Sequence, residues 1–272
     1  MQVKNLMSED VITIDKDQNL SDGLKLLRKY NISRLPVVNT NEDNQKELVG
    51  IVSERDIANK LGSSKYENMP PSRFHISSVM VKDVIAVNDS MSLSDVADLM
   101  LEKGIGSVPV ESNDSMVGIV SKADFVTLIR GKAFEKILVK DSMTEDVKFV
   151  TPSERLVHAR RVMIDSKVGR LPVVSNDMLV GMVTSKDLMR ALISFRKKVP
   201  EKHQQAQIKN ILVEDIMSSN VLSADEDMSL AEVANIMMET GYNGLPVVEN
   251  NKLIGIITQT DLLRIIADLD AA

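Results

Sequence analysis

The chain has no cysteine and no tryptophan among its 272 residues. Disulfides, thiolate nucleophiles and cysteine-ligated zinc are therefore excluded, and the composition suits a reducing cytoplasm, where the protein is expected. Aromatic residues amount to 3%, so core volume must come from Val, Ile, Leu and Met, and few rings are present on which bases could stack. No apolar run approaches the roughly 18 residues that suggest a bilayer crossing, so no membrane span is expected. The opening MQVKNLMSEDVITID has early acidic residues and no apolar stretch of the secretory kind. The formal net charge is -6, which provides no global basic field for nucleic acid or an anionic membrane. Phosphate-loop, nucleophile-elbow and H-E-x-x-H motifs are all missing. The three histidines, His75, His158 and His203, show no metal-ligand spacing. A non-enzymatic protein without a catalytic metal is the expectation.

What the chain does have is repetition. Four segments keep one register. Met7, Met80, Met143 and Met217 each precede a proline by 29 residues, at Pro36, Pro109, Pro172 and Pro246. A glycine follows that proline by 14 residues at Gly50 and by 9 at Gly118, Gly181 and Gly255. The excess in the first repeat is the polar insert NTNEDNQKE, which fits a lengthened hairpin loop. An Asp comes 6 residues after each glycine, in GIVSERD, GIVSKAD, GMVTSKD and GIITQTD. Sixteen methionines fall mostly at apolar helical positions or in the recurring turn that opens each repeat, and read as gap-filling core residues.

Each repeat reads β-α-β-β-α. A short β run such as VITI opens it. An amphipathic helix follows, and in the fourth repeat Leu230, Val233, Ala234, Met237 and Met238 line one face of a 3.6-residue period. Ser229 with Glu232 forms a capping box at its start, as Ser92 with Asp95 roughly does in the second repeat. Gly104 and Gly241 stop these helices. Two apolar runs, LPVV and LVGIV in the first repeat, form a β-hairpin, and a last helix follows the S/T-x-x-D. The repeats span 1–62, 76–132, 139–195 and 211–269. Each is marginal alone because its sheet leaves an apolar face open, so they should pack as two pairs. The polar stretches GSSKYENMPPSRFHIS and FRKKVPEKHQQAQIKN read as linkers within the pairs.

The S/T-x-x-D phrase has two compatible readings. Ser53, Ser121, Thr184 and Thr258 suit helix N-caps, with Asp56, Asp124, Asp187 and Asp261 completing the boxes. A helix start also offers free amides and positive dipole to a phosphate, and a carboxylate can hold ribose hydroxyls. A catalytic role is excluded, since a nucleophile hardly needs four copies without a base. Two residues before the prolines stand Arg34, Ser107, Arg170 and Gly244. An Arg fork suits phosphate oxygens, and only the first and third repeats carry one at this position. The repeated glycines are read as permitting close backbone approach.

This joint pattern, namely the Met turn, the LPVV strand and the G-h-[VI]-[ST]-x-x-D ending in four copies, resembles the CBS (cystathionine-β-synthase) domain family. The resemblance implies an α/β chain whose tandem repeats dock into two Bateman modules, with adenosyl ligands such as AMP, ADP, ATP or S-adenosylmethionine in clefts between paired sheets. It implies that each Asp holds ribose, that each Ser or Thr reaches phosphate or ribose, and that a basic residue two before the proline contacts phosphate. It places adenine against the opening strands, where Thr13 and Ser223 add side-chain hydrogen bonds. The layout also looks like the four-repeat regulatory subunits of energy-sensing kinases. A regulatory protein that signals adenine-nucleotide binding to a partner protein, and a homodimer, are the corresponding expectations. The alternative is an interaction module with empty clefts.

Overall fold

A computed structural model of the chain describes residues 1–41, 46–63 and 71–269. The first repeat contains β1 (Ile14–Asp15), α1 (Leu20–Lys29), β2 (Arg34–Thr40), β3 (Lys46–Ser53) and α2 (Glu54–Leu61). The second contains β4 (Val87–Asn88), α3 (Leu93–Glu102), β5 (Ser107–Ser112), β6 (Ser115–Ser121) and the short α4 (Lys122–Val126). The third has α5 (Leu156–Asp165), β7 (Arg170–Ser175), β8 (Met178–Thr184) and α6 (Ser185–Lys198), followed by α7 (Glu201–Gln207). The fourth has α8 (Leu230–Thr240), β9 (Gly244–Glu249), β10 (Lys252–Thr258) and α9 (Gln259–Leu269).

The β-α-β-β-α order holds, with one refinement at the opening strand. VITI forms a strand only from Ile14, which pairs parallel to β2 opposite Val37. In the third and fourth repeats the opener is reduced to single bridges, Val150 with Val173 and Ala224 with Val247. Three of the four hairpins turn on pairs of residues with positive φ: Asn113–Asp114, Asn176–Asp177 and Asn250–Asn251. These are the residue types that tolerate the left-handed region which tight hairpins demand. The tip of the loop formed by the NTNEDNQKE insert, residues 42–45, lies outside the described residues, as does Pro70 of the Pro-Pro step in the first linker. Gly104 and Gly241 adopt φ of 64° and 71° after their helices, as glycine at a helix end should.

The described chain divides into two compact units: Met1–Val11, Ile85–Val147 and Leu222–Ala272 form one, and Ile12–Val84 and Lys148–Val221 form the other. Each has its own core. In the first, α9 packs on α3 and α4, fusing repeats 2 and 4 around residues such as Val96, Met100, Phe125, Val233 and Leu263. In the second, α2 packs on α6, fusing repeats 1 and 3 around Ile57, Leu61, Leu188 and Leu192.

Within each unit the Met turns dock on a different repeat from their own. Ser8 exchanges two backbone hydrogen bonds with Ile119 (2.9 and 3.0 Å), and Val81 does the same with Ile51 (2.8 and 2.9 Å). Thr144 pairs likewise with Ile256, and Ser218 with Met182. Beside each pair the Met side chain lies over a glycine. A Cβ at Gly118 would sit 2.5 Å from Met7 Sδ, at Gly50 2.5 Å from Met80 Sδ, at Gly255 2.5 Å from Met143 Sδ, and at Gly181 2.6 Å from Met217 Sδ. The strand register also shifts at these glycines, so each stands at a bulge. Repeats 1 and 2 thus exchange Met turns, and so do 3 and 4, while the opening strands stay with their own repeats.

The stretch read as the second polar linker is instead largely helical. It extends α6 and forms α7, because its polar groups turn inward: Arg196 is 8% and Gln204 4% exposed. Arg196 Nη2 donates to Leu61 O, and Arg160 Nη2 donates to Asn59 O at 2.7 Å. Two guanidiniums from repeat 3 therefore cap the carbonyl end of α2, where the helix dipole favours cations. Gln204 Nε2 in turn donates to Val199 O at 2.8 Å, at the end of α6.

The Gly–Met contact gives a direct test. Gly181→Ala is expected to destabilise the protein by about 1–3 kcal/mol through overpacking. Adding Met217→Ala should recover part of that loss, so that denaturant unfolding of the double variant shows a favourable coupling of about 1 kcal/mol against the two single variants. Strict additivity would refute a steric lock.

Candidate functional site

All four S/T-x-x-D phrases lie where a strand turns into a helix; the first three form reciprocal capping boxes, and in the fourth Asp261 accepts from Thr258 while Thr258 Oγ1 accepts from the Thr260 amide at 3.2 Å. Asp56 Oδ2 accepts from the Ser53 amide (2.9 Å) and hydroxyl (2.5 Å). Asp124 Oδ2 accepts from Ser121 at 2.7 and 2.8 Å, Asp187 Oδ2 from Thr184 at 2.9 and 2.6 Å, and Asp261 Oδ2 from Thr258 at 2.8 and 2.6 Å. The first helical amide is tied back as well: Glu54, Lys122, Ser185 and Gln259 donate to Ser33 O, Gly106 O, Gly169 O and Asn243 O at 2.9–3.1 Å. Each cap is thereby held against the residue just before the first strand of its hairpin.

The capping role uses one carboxylate oxygen. The other oxygen of Asp56, Asp124 and Asp187 accepts no hydrogen bond among the described residues. Asp261 differs. It is 3% exposed, and its Oδ1 accepts from Thr144 Oγ1 at 3.2 Å and from Arg264 Nη1 at 2.5 Å. Both of its oxygens are committed to holding the fourth repeat together.

Hairpin register places the residue two before the proline directly opposite the cap hydroxyl: Arg34 faces Ser53, Ser107 faces Ser121, Arg170 faces Thr184 and Gly244 faces Thr258. The two arginines belong to the same compact unit, where the starts of α2 and α6 meet. Lys186 Nζ lies 3.8 Å from Glu54 Oε1. Arg55 Nη1 reaches Lys167 O at 3.5 Å, and a Cβ at Gly169 would stand 2.9 Å from Arg55 Nη2. Burial, reinforced by the Arg55 charge, pushes the Arg170 guanidinium down to about 10. Burial also raises the Glu54 carboxyl against the opposing pull of Lys186 and Arg190. Cations from both repeats therefore converge at this pair of helix starts.

The other unit is poorer in charge. Lys122 Nζ donates to Thr260 Oγ1 at 2.8 Å, and Gln259 Nε2 to Asn243 Oδ1 at 3.3 Å. Ser107 is buried, and its hydroxyl makes no hydrogen bond among the described residues. Helix α4 spans only five residues. Thr13 sits half-buried in the opener of repeat 1, and Ser223 half-buried in that of repeat 4. Neither is hydrogen-bonded to the cap of its repeat. The equivalent place in repeat 3 carries Phe149, which is 53% exposed. A surface depression of about 520 Å³ at the start of α5, lined by Ser153, Arg155 and His158 among others, contains none of the predicted residues.

Sequence reasoning missed Glu54, Arg190, Arg264 and Thr144. The i,i+3 spacing of Asp187 with Arg190 and of Asp261 with Arg264 was a usable signal. Thr144 was not findable without the exchange of Met turns. Among the described residues no helix is long and apolar enough to cross a membrane.

The removal of Asp261 should therefore cost more than that of an equivalent Asp. Thermal or denaturant unfolding is expected to show a loss of about 1 kcal/mol for Asp56→Ala, the value of a cap. Asp261→Ala should lose about 2 kcal/mol or more, since Thr144 and Arg264 lose their acceptor as well. Equal losses would contradict the distinct role of the fourth copy.

The model of the family described as "CBS domain" matches residues 3–63, 76–131, 139–194 and 213–268. An uncharacterized protein, MJ1225 of Methanocaldococcus jannaschii, is 27% identical over 97% of this chain and 98% of its own. Its crystal structure, described as that of a proposed archaeal homolog of g-AMPK, is similar with a TM-score of 0.85 at 28% identity, covering 98% of this chain and 100% of that one. A second uncharacterized protein of the same organism, MJ1404, is 30% identical over 98% of this chain and 62% of its own length. The crystal structure of an uncharacterized conserved protein from Pyrococcus horikoshii gives a TM-score of 0.65 at 25% identity, covering 98% of this chain and 100% of that one.

Proposed function

The chain belongs to the CBS domain family, with four repeats paired into two Bateman modules, and on that premise we propose that it is a non-enzymatic regulatory protein that binds adenine nucleotides. The observation that carries the reading is the arrangement at repeats 1 and 3. There a helix start, a cap hydroxyl, a carboxylate with one oxygen to spare and an arginine in register opposite the cap occur together. A phosphate suits the amides, dipole and guanidinium. The spare oxygen of Asp56 or Asp187 suits a ribose hydroxyl, with adenine against the opening segments near Thr13. The similarity to a proposed g-AMPK homolog points the same way.

The four copies divide the work under this reading. Repeats 1 and 3 supply the phosphate grip through Arg34, Ser53 and Asp56 and through Arg170, Thr184 and Asp187. Ser121 and Asp124 offer a cap without an arginine opposite. Thr258 and Asp261 serve structure, because both Asp261 oxygens are engaged, and Ser223 then has no ribose holder beside it in its own repeat. Nucleotide occupancy reaches a partner protein only if the ligand favours one conformation over another. S-adenosylmethionine is the competing adenosyl ligand, and the cations near Arg34 and Arg170 favour the nucleotide phosphates over that sulfonium.

Calorimetry with AMP, ADP, ATP and S-adenosylmethionine tests the proposal. At least one nucleotide should bind in the micromolar range or below. Arg170→Ala should weaken ATP about tenfold and adenosine hardly at all. The absence of both binding heat and a melting-temperature shift at millimolar nucleotide would reject the reading in favour of an interaction module.

A further inference from the structure

Glu54 is out of place in a phosphate grip. It is the first residue of α2, next to the cap Ser53, and its amide is anchored to Ser33 O at 3.0 Å. Its side chain is only 13% exposed. The charged groups that face it are Arg34 at the start of β2 and Lys186, Asp187 and Arg190 of α6, with Arg55 and Asp56 on its own helix. The closest, Lys186 Nζ, stands 3.8 Å from Oε1. That is beyond hydrogen-bond reach, so the pair is Coulombic and can be displaced. The corresponding residues of the other repeats are Lys122, Ser185 and Gln259, and none is acidic. A largely buried carboxylate among these cations occupies the charge environment that a phosphate would seek.

We infer that Glu54 is a resident counter-anion, set beside the cap Ser53 where the starts of α2 and α6 meet, that makes this neighbourhood discriminate against multiply charged phosphates. The inference rests on the nucleotide reading above. Its physical basis is simple. Each negative charge added to a ligand beside Arg34 and Ser53 meets the fixed charge of Glu54, so the penalty grows with phosphate number and vanishes for a neutral nucleoside. The penalty must also fade in acid. Burial raises the Glu54 carboxyl above its ordinary value, so protonation as pH falls removes the repulsion before an exposed glutamate would titrate.

The test measures binding of adenosine, AMP and ATP by calorimetry in an Arg170→Ala chain, with and without Glu54→Gln. The Arg170 change weakens the grip of repeat 3 so that repeat 1 is read. Glu54→Gln should tighten ATP about tenfold and AMP about threefold and leave adenosine unchanged. The gain should be largest near about pH 8 and shrink as pH is lowered into the acid range. Glu54→Asp keeps the charge and should retain the discrimination, which also covers the case of a Gln variant that does not fold. Unchanged ATP binding, or an equal gain for all three ligands, overturns the role of Glu54 while the nucleotide site stands. If none of the ligands binds any of these chains or the native protein, the nucleotide reading falls and the role of Glu54 falls with it.

Discussion

A methionine lying on a glycine holds this architecture together. In each repeat the opening turn leaves its own sheet, pairs by two backbone hydrogen bonds with a strand of another repeat, and lays a thioether over the bulged glycine there. Any side chain at that glycine would meet sulfur and carbonyl oxygen at 2.5–3.3 Å. The flexible, polarizable methionine fills the remaining space. Because the Met turns are exchanged, the outer hairpin strand of each repeat is bridged by a turn from another repeat. The helices then join the repeats a second way, α2 with α6 and α9 with α3 and α4, so every repeat has one partner through its Met turn and another through its helices.

The candidate site depends on the same economy of structure. The S/T-x-x-D phrase closes a cap that fixes the first turn of the helix, and strand register then brings the residue before Leu-Pro opposite the cap hydroxyl. Nothing more is needed to put an arginine beside a helix start. The four copies show how one scaffold is specialised by its neighbours. Arg264 and Thr144 turn the fourth Asp into a structural tie. At the starts of α2 and α6, by contrast, the packing of repeats 1 and 3 gathers the cations into one neighbourhood and places Glu54 among them.

Periodic features were legible in the sequence because each depends on local spacing. The amphipathic face of α8, the Ser229–Glu232 box, the positive-φ glycines and the close approach at Gly50, Gly118, Gly181 and Gly255 all follow from spacing and residue type. Features that depend on which repeat meets which were not legible. Arg196 and Gln204 read as solvated linker residues because their partners, the carbonyls at the ends of α2 and α6, are set by packing. The S/T-x-x-D spacing was visible in all four copies, yet the withdrawal of Asp261 from solvent requires Thr144, which is 117 residues away. Charge convergence at the helix starts has the same origin. Arg34 and Arg170 look equivalent in sequence, and only the fused core of repeats 1 and 3 puts them in one unit.

The exchanged Met turns carry a consequence for how the chain reaches its native state. Four nearly identical keys must find four nearly identical locks, since every Met turn presents the same thioether and every acceptor the same glycine bulge. The lock itself therefore encodes almost no preference among partners. Selectivity has to come from chain connectivity and from the two cores, which differ in shape where the locks do not. A newly made chain is exposed to mismatched pairings of its own repeats, and connectivity keeps the exchange within one chain only through the higher effective concentration of its own Met turns.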